Sequence, residues 1–292
     1  MPNSICDLHL HTHYSDGSAS PSEILHHAAS IGLVTVAITD HDNLNADREA
    51  QNVAGQLGLE LIPGIEFTSR WDQCSATNQK NGFVHDVDIL GYFFDRESLE
   101  FQTFVQGAFD DLYQRIVECC ELLTAAGHPI TIYDVLDENP RYPGALQLIS
   151  ALWHKDHAFS WSESYSLFVE HWPRVRPSNY STEQVLSALH QAGGVAILAH
   201  PVAIQSNAGW ITGAQVAGLV QAGLDGLEIY HPRLDAAARA HFLTIARQFN
   251  LLVTGGSDEH GAGGKLSRMG SQLITYEMVN ALRQRAETYQ MR

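Results

Sequence analysis

Histidine and carboxylate residues recur in five short motifs whose spacing suits metal-ion chemistry. The first motif is DLHLHTHYSDG, in which His9 and His11 stand two residues apart and Asp16 follows in a glycine-containing turn. Because alternate side chains of a β-strand point to the same side, His9 and His11 can face one ion. The other motifs are TDHD with Asp40 and His41, PGIE with Glu66, AHP with His200, and GSDEHG with Asp258 and His260.

These motifs follow apolar, β-branched runs that have the composition of buried parallel strands. Seven such runs predict strands at residues 4–9, 34–39, 59–65, 83–91, 194–199, 225–230 and 251–255. Helical patterns lie between them, and Ser20 and Ser181 each begin a helix with a capping sequence. The alternation predicts βαβ units and an α/β fold, a distorted (β/α)7 TIM-like barrel. Such a barrel builds its active site at the C-terminal ends of its strands, where the motifs lie.

The alternation is interrupted between residues 97 and 180, where helical patterns follow one another without a convincing strand. The interruption begins with a long helix predicted over residues 98–126. We therefore predict two units, a barrel domain of residues 1–96 and 181–292 and a helical cap domain of residues 97–180. Four aromatic residues of the cap could form either a stacking face for a nucleobase or a hydrophobic core. They are Trp153, Trp161, Trp172 and Tyr180.

The ligand types favour a cluster of divalent ions. Imidazoles and carboxylates without thiolates suit Mn²⁺, Fe²⁺ or Zn²⁺ better than a structural zinc site. The histidines and carboxylates of the five motifs are too many for one ion, so we expect two or three ions bridged by Glu66, which lies near the middle of the strand order. Such a cluster suits phosphate-ester hydrolysis, because bound water becomes hydroxide near neutral pH and the ions hold the phosphoryl oxygens.

The composition limits the classes of partner that we expect. The 292 residues carry a formal net charge of −16, which argues against tight binding of long duplex DNA or other long nucleic acid through a basic face. No segment has the length of a membrane span, and we expect neither a membrane partner nor a secretory signal. The four cysteines, at positions 6, 74, 119 and 120, form no CxxC pair and are typical of a reducing compartment, so we expect a cytoplasmic protein.

The five motifs, in this order, resemble those of the PHP (polymerase and histidinol phosphatase) family of metal-dependent phosphoesterases, a branch of the amidohydrolase-like barrels. The similarity runs from Cys6 to His260. It implies the PHP fold and a phosphoric monoester hydrolase with two or three divalent ions, Mn²⁺ before Zn²⁺ or Fe²⁺. Carried over by position, it implies these metal ligands: His9, His11, Asp16, His41, Glu66, His200, Asp258 and His260. Asp40, which we group with Glu66 among the catalytic residues, stands beside a ligand and is expected to orient it.

One position departs from the family pattern. The family has a histidine in the fourth strand just before an apolar–Leu–Gly–Tyr stretch, and alignment on Leu90-Gly91-Tyr92 puts Asp88 there instead. His85 is an odd number of residues away and would face the other side of an unbulged strand. Either Asp88 is the ligand at a third-metal position, or the third ion is weak or missing. We favour two tightly bound ions.

The helical insertion resembles that of the family's 3′,5′-nucleoside bisphosphate phosphatases and short-RNA 5′-exonucleases, although its Asn139-Pro-Arg141-Tyr-Pro-Gly144 replaces the usual Gly-Arg-Pro-His. The resemblance implies removal of the 3′-phosphate from a nucleoside 3′,5′-bisphosphate such as pAp, giving AMP and phosphate, by attack of a metal-bound hydroxide. The alternatives are 5′-3′ cleavage of a short 5′-phosphorylated RNA, and hydrolysis of histidinol phosphate or a polyol phosphate. A non-catalytic metal-binding PHP module is the alternative of a different class.

A second substrate phosphate needs cations beyond the metal ions. The candidates lie in the cap or follow the last motif: Arg141, Arg174, Arg176, Lys265 and Arg268. His231 follows the sixth predicted strand, where it could contact the phosphate or act as an acid toward the leaving oxygen. The expected partner is a small phosphorylated nucleotide, with short RNA as the alternative.

Overall fold

The computed structural model describes residues 5–72, 86–203, 205–206, 209–261 and 265–291. The strands are β1 (Cys6–Leu10), β2 (Thr35–Ile38), β3 (Glu60–Ile62), β4 (Gly64–Arg70), β5 (Asp86–Tyr92), β6 (Val195–Leu198), β7 (Gln205–Ser206), β8 (Gly209–Trp210), β9 (Gly226–Tyr230) and β10 (Leu252–Gly255). The helices are α1 (Pro21–Ser30), α2 (Asp47–Leu57), α3 (Leu99–Ala125), α4 (Ile132–Glu138), α5 (Ala145–His154), α6 (Trp161–His171), α7 (Thr182–Gln191), α8 (Gly213–Ala222), α9 (Ala236–Phe249) and α10 (Tyr276–Gln290).

The strands form two main sheets and one short ladder. β1, β2 and β3 make a parallel three-stranded sheet in that order. The larger sheet has the order β10-β9-β6-β5-β4. Single bridges join the two sheets at both seams, Leu10 with Glu259 and His41 with Glu66. The α/β fold is confirmed, and among the described residues these bridges, not a continuous ladder, connect the sheets.

The direction of strand β5 contradicts the predicted all-parallel sheet. It pairs antiparallel with both of its neighbours, β4 and β6. A short connection can join antiparallel strands, whereas parallel strands need a crossover such as a helix. The apolar run that forms a strand does not show which of the two applies. As a result the first half of β5, rather than its end, lies at the edge where the parallel strands end.

The predicted strand at residues 59–65 is divided in two at Pro63. β3 pairs with β2, whereas β4 pairs with β5. Proline lacks the N–H that a ladder needs, so the chain changes sheets at this residue. The division places Glu66 near the start of a seven-residue strand rather than at a strand exit.

The predicted helix starts are confirmed. Ser20 and Ser181 each cap a helix with a complete capping box, in which the side chains of Glu23 and Gln184 return to the cap residue. Such caps typically contribute about 1 kcal/mol each. In the part of the chain that the structure describes, no helix is long and apolar enough to cross a membrane.

The helical segment between β5 and β6 buries an apolar cluster of its own. Residues 97–180, all of them described, contain helices α3 to α6 and no strand. Ile116 and Leu123 of α3 pack there with Leu148 and Leu152 of α5. Another cluster fills the space around the larger sheet, and it also takes in Phe101, Val105 and Ala108 from the first part of α3.

Candidate metal centre

Strand β1 ends with two imidazoles that share one neighbour, the carboxylate of Glu66 on β4. His9 Nε2 lies 3.0 Å from His11 Nε2 and 3.0 Å from Glu66 Oε2. His11 Nε2 lies 3.2 Å from the same oxygen. All three side chains are buried. The predicted pair of histidines therefore faces one point, which Glu66 reaches from the other sheet.

The close approach of β10 to β1 depends on a glycine. A Cβ atom on Gly256 would lie 2.2 Å from the Cβ of His9, so a larger residue does not fit unless β1 moves. Just beyond it, Asp258 donates its backbone N–H to the carbonyl of His9 at 3.0 Å. Its Oδ1 lies 3.4 Å from His11 Nε2. The glycine thus allows the last motif to meet the first.

A second group of ligand atoms surrounds Asp16, in the loop after β1. Asp16 Oδ1 lies 3.1 Å from His260 Nε2, and Oδ2 lies 3.7 Å from His41 Nε2. The His260 ring stacks on that of His11, with 4.2 Å between centroids. One ligand atom from each of these four residues lies within 4.8 Å of the others, a spacing that suits a shared ion.

Glu66 joins the two groups. Its Oε2 also lies 3.5 Å from His41 Nε2, and its Oε1 lies 3.0 Å from His200 Nε2. A single carboxylate on β4 thus contacts imidazoles from β1 and from the ends of β2 and β6. This is the geometry expected of a bridging carboxylate.

Asp88 lies beside this bridge. Its Oδ2 is 3.8 Å from His200 Nε2, and ligand atoms of His41, Glu66 and Asp88 lie within 4.8 Å of one another. Asp88 reaches the site because β5 is antiparallel, which brings the early residues of this strand to the catalytic edge. His85, the other residue considered for this position, lies outside the described residues.

Glu228 on β9 supports two of the histidines, and sequence reasoning missed it. Its Oε1 lies 3.0 Å from His9 Nδ1, and its Oε2 accepts the backbone N–H of His200 at 2.9 Å. The side chain is fully buried. A lone carboxylate within the apolar run GLEIY was the available signal. A carboxylate bound to Nδ1 leaves Nε2 of His9 directed at the centre.

Asp40 is turned toward the loop that follows β1. Its carboxylate accepts the N–H of Thr12 at 2.7 Å, and the hydroxyls of Thr12 and Ser15 at 2.6 Å each. These contacts fix the loop that carries Asp16. These contacts go to the loop and not to the neighbouring ligand His41, so the expected orienting role of Asp40 stays a prediction.

His231 and Arg233 border Asp258. His231 Nε2 lies 3.2 Å from Asp258 Oδ2, and the Arg233 backbone N–H donates to His231 Nδ1 at 3.0 Å. A nitrogen that accepts a hydrogen bond carries no proton, so the neutral ring has its proton on Nε2. The Arg233 guanidinium lies 4.0 Å from the same Asp258 oxygen. It is a cation that sequence reasoning missed, although it stands two residues after His231.

The electrostatics of the site favour bound cations. Burial lowers the pKa of His11, but hydrogen bonds to Asp258 and Glu66 outweigh it and raise that pKa to about 10. His200 follows the same pattern, with a pKa of about 9 beside Glu66. Despite burial, the neighbouring imidazoles hold the pKa of the Glu66 carboxyl well below its usual range. Glu66 therefore stays ionised and attracts protons or metal ions.

The sequence pattern of the PHP domain matches residues 7–191, which carry most of the ligand positions described above. The chain belongs to the PHP-domain family. Like its PHP relatives, it is a metal-dependent phosphoesterase, a hydrolase of phosphoric esters.

Three relatives align with most of this chain, and their names give different activities. A 5′-3′ exoribonuclease of Haemophilus influenzae is 28% identical over 87% of this chain and 89% of its own. A phosphoribosyl 1,2-cyclic phosphate 1,2-diphosphodiesterase of Eggerthella lenta is 27% identical over 90% and 97%. A 3′,5′-nucleoside bisphosphate phosphatase of Chromobacterium violaceum is 24% identical over 89% of each chain.

Among solved structures, a protein of Bifidobacterium adolescentis called a metal-dependent phosphoesterase superposes with a TM-score of 0.81. It is 29% identical, and the alignment covers 97% of both chains. The similarity therefore includes the helical insertion as well as the sheets. Together the comparisons support the PHP reaction class but not one particular substrate.

The residues of the PHP site fit a cluster of divalent ions. Two imidazole nitrogens and one carboxylate oxygen lie within 3.2 Å of one another, and all three atoms belong to buried side chains. The donor set contains nitrogen and oxygen atoms without sulfur, which suits Mn²⁺, Fe²⁺ or Zn²⁺. Groups of this kind already converge on one point, so they need little change of position to hold ions.

The five predicted phosphate-binding cations lie in different surroundings. Arg141 is exposed, with its guanidinium 5.6 Å from the centroid of the Tyr14 ring, and it lines a cavity that also contains Asp16. Arg176 pairs with Asp111 at 2.8 Å, and Arg174 lies 3.9 Å from Glu170. The other two, Lys265 and Arg268, are exposed in the loop after the last motif. Arg141 is therefore the strongest of the five candidates for binding a substrate phosphate.

The cap aromatics divide into two pairs. Trp172 lies under the Arg115 guanidinium, 4.6 Å from the ring centroid, and Tyr180 meets the ring of Phe104 edge-on. These two are packing residues. Trp153 and Trp161 are both substantially exposed.

Proposed function

We propose that this PHP protein removes the 3′-phosphate from nucleoside 3′,5′-bisphosphates such as pAp. The observation that carries the proposal is the position of Glu66, whose oxygens lie 3.0–3.5 Å from four imidazoles. A buried carboxylate shared in this way suits a multi-ion centre for phosphoryl chemistry. The bisphosphate phosphatase of C. violaceum, alike over nearly the whole chain, adds support.

The proposed ligands form overlapping groups, any one of which could hold an ion, with Mn²⁺ first and Zn²⁺ or Fe²⁺ as alternatives. The groups are His9, His11 and Glu66; His11, Asp16, His41 and His260; and His41, Glu66 and Asp88, with His200 and Asp258 at their borders. When bound, such ions polarise phosphoryl oxygens and lower the pKa of a water molecule. Asp88 is the proposed ligand at a third position, which we expect to be the weakest.

His231 is proposed to contact the leaving 3′-oxygen. Its Nδ1 accepts a backbone N–H, so the proton of the neutral ring is on Nε2, the atom that faces Asp258. As the P–O bond breaks, the 3′-oxygen gains negative charge, which a hydrogen bond from Nε2–H stabilises. The ring keeps its proton and the 3′-oxygen takes one from water, while Asp40 keeps the neighbouring loop in place.

Arg141 is the proposed partner of the non-reacting 5′-phosphate, with Arg233 as a second candidate on the Asp258 side. A phosphate held away from the reacting bond orients the substrate, and remote binding energy of this kind raises the rate of the chemical step. Charge-assisted contacts are worth about 1.5–3 kcal/mol each. The bisphosphate should therefore react faster than a nucleoside 3′-monophosphate.

We further propose that the chain forms two domains. Residues 1–96 and 181–292 would form a distorted barrel, closed where the two sheets meet through single bridges, and residues 97–180 would form a cap. The separate apolar core of the helical segment supports this division. The ion pair of Arg115 with Asp86, 2.7 Å long, would connect the cap to β5.

A short 5′-phosphorylated RNA is the second candidate substrate. Its first phosphodiester and the 3′-phosphate of pAp present the same bond, between phosphorus and a 3′-oxygen. The exposed Trp153 and Trp161 favour this candidate, since single-stranded nucleic acids stack on such residues. The resemblance to an exoribonuclease over 87% of the chain does so too.

Turnover of pAp, 3′-AMP and a 5′-phosphorylated diribonucleotide, with Mn²⁺ and with a chelator, tests the proposal. We expect Mn²⁺-dependent phosphate release from pAp, with kcat/KM at least about tenfold above that for 3′-AMP. Arg141→Ala should reduce this preference, whereas Arg174→Ala, a matched change at an exposed arginine beside Glu170, should not.

Equal kcat/KM for pAp and 3′-AMP would remove the second-phosphate site from the proposal. Faster turnover of the diribonucleotide than of pAp would favour the exonuclease. Absence of turnover with every substrate, while metal is bound, would support the non-catalytic module.

A further inference from the structure

A cavity of about 470 Å³ lies between the loop after β1 and the cap. Asp16, a proposed metal ligand, forms part of its wall, so the cavity borders the metal centre. Arg141, Gln147 and Trp161 line it from the side of the cap. Its volume lies within the range of sites for small ligands.

Trp161 gives this cavity an exposed aromatic wall. Its side chain is 42% exposed although it is large and apolar, and it stands at the start of α6. Trp153 meets it edge-on, with 6.3 Å between ring centroids, which supports the ring from one side. An exposed aromatic wall beside a polar reaction centre is a surface on which a planar ring can stack.

Arg141 gives this wall of the cavity a positive charge. Its side chain is exposed, and it lines the cavity together with Gln147, which is only 8% exposed. The guanidinium can hold the phosphate of a ligand whose ring lies against Trp161.

We propose that this cavity is a nucleobase subsite, in which a base stacks on Trp161 beside the Arg141 guanidinium. The inference rests on the proposed function, because it takes the ligand to be a nucleotide. It assigns the choice of substrate to the cap, whereas the metal centre determines the reaction. Base-free phosphate esters would then use the metal centre without this subsite.

Equilibrium binding of AMP and ribose 5-phosphate, with Mn²⁺ present, isolates the contribution of the base. Both ligands carry the same sugar phosphate, and only AMP has an aromatic base that can stack. Stacking on one aromatic residue corresponds to a factor of about five to a hundred in affinity. We expect the wild-type protein to prefer AMP by such a factor, Trp161→Ala to abolish the preference, and Trp161→Phe to restore part of it.

Phe159→Ala is the matched control, since Phe159 is 98% exposed two residues before Trp161 and does not line the cavity. This variant should keep the wild-type preference. An unchanged preference for AMP in Trp161→Ala, in a variant with wild-type circular dichroism, would overturn the subsite. Turnover assays separate the two proposals: a base preference without nucleotide hydrolysis contradicts only the proposed function, and hydrolysis without a base preference contradicts only the subsite.

Discussion

Replacing Glu66 by glutamine tests the centre at its proposed bridge. The substitution keeps the shape of the side chain and removes one negative charge from a position 3.0 Å from His9, 3.0 Å from His200 and 3.2 Å from His11. Because Glu66 would serve two ions, we expect the variant to lose metal from more than one position. Phosphoesterase activity should fall with it.

The size of the effect follows from burial. Glu66 is 1% exposed, so water screens its charge poorly. A unit charge about 4 Å from another contributes about 4 kcal/mol at an effective dielectric constant near 20. That energy corresponds to a factor of about 10³ in affinity, and a divalent ion would feel more. Metal affinity should therefore drop by at least about a thousandfold, beyond the 10- to 100-fold typical of residues that only support a ligand.

Metal content by mass spectrometry after dialysis, together with kcat/KM on pAp, measures both losses. Glu60→Gln is the matched control, because Glu60 lies on the adjacent β3 but bonds Thr35 and Arg283 outside the centre. It should retain metal and activity. A Glu66→Gln protein that keeps its full metal content and turns over pAp at the wild-type rate would refute the bridging assignment.

Two further predictions concern Asp88 and Asp47. Asp88→Ala should weaken the binding of one ion per chain and leave the others in place; a Mn²⁺ titration that shows weakened binding of every ion, or of none, would contradict a separate third position. Asp47 has a pKa raised from 3.8 to about 6 by burial, against the opposing effect of Arg96. The folded state thus favours the protonated form of Asp47. This preference stabilises the fold fully below about pH 3.8, and the stabilisation is lost as the pH rises through about 6. Relative to Asp47→Asn, the free energy of unfolding of the wild type should fall by about 2–3 kcal/mol between pH 4 and pH 7; urea titrations of the metal-free proteins check it, and parallel pH profiles would contradict it.

The sequence determined the chemistry of the site. The HxH pair on β1 points to one side because strand side chains alternate, and the structure brings His9 and His11 to the same carboxylate. The capping sequences at Ser20 and Ser181 likewise fixed the starts of α1 and α7. These features depend on neighbours within a few residues, which a linear pattern records directly.

Tertiary structure decided which distant groups join that site. Glu228 reads as one polar residue in an apolar strand, and only the pairing of β9 with β6 brings it to His9 and His200. Asp88 reaches the centre through the antiparallel direction of β5, which composition does not encode. Of the cap's aromatics, Trp161 alone was found to line the cavity beside Asp16. Strand direction, sheet seams and the exposure of a side chain arise from contacts between segments far apart in the chain, so the local pattern of residues could not specify them.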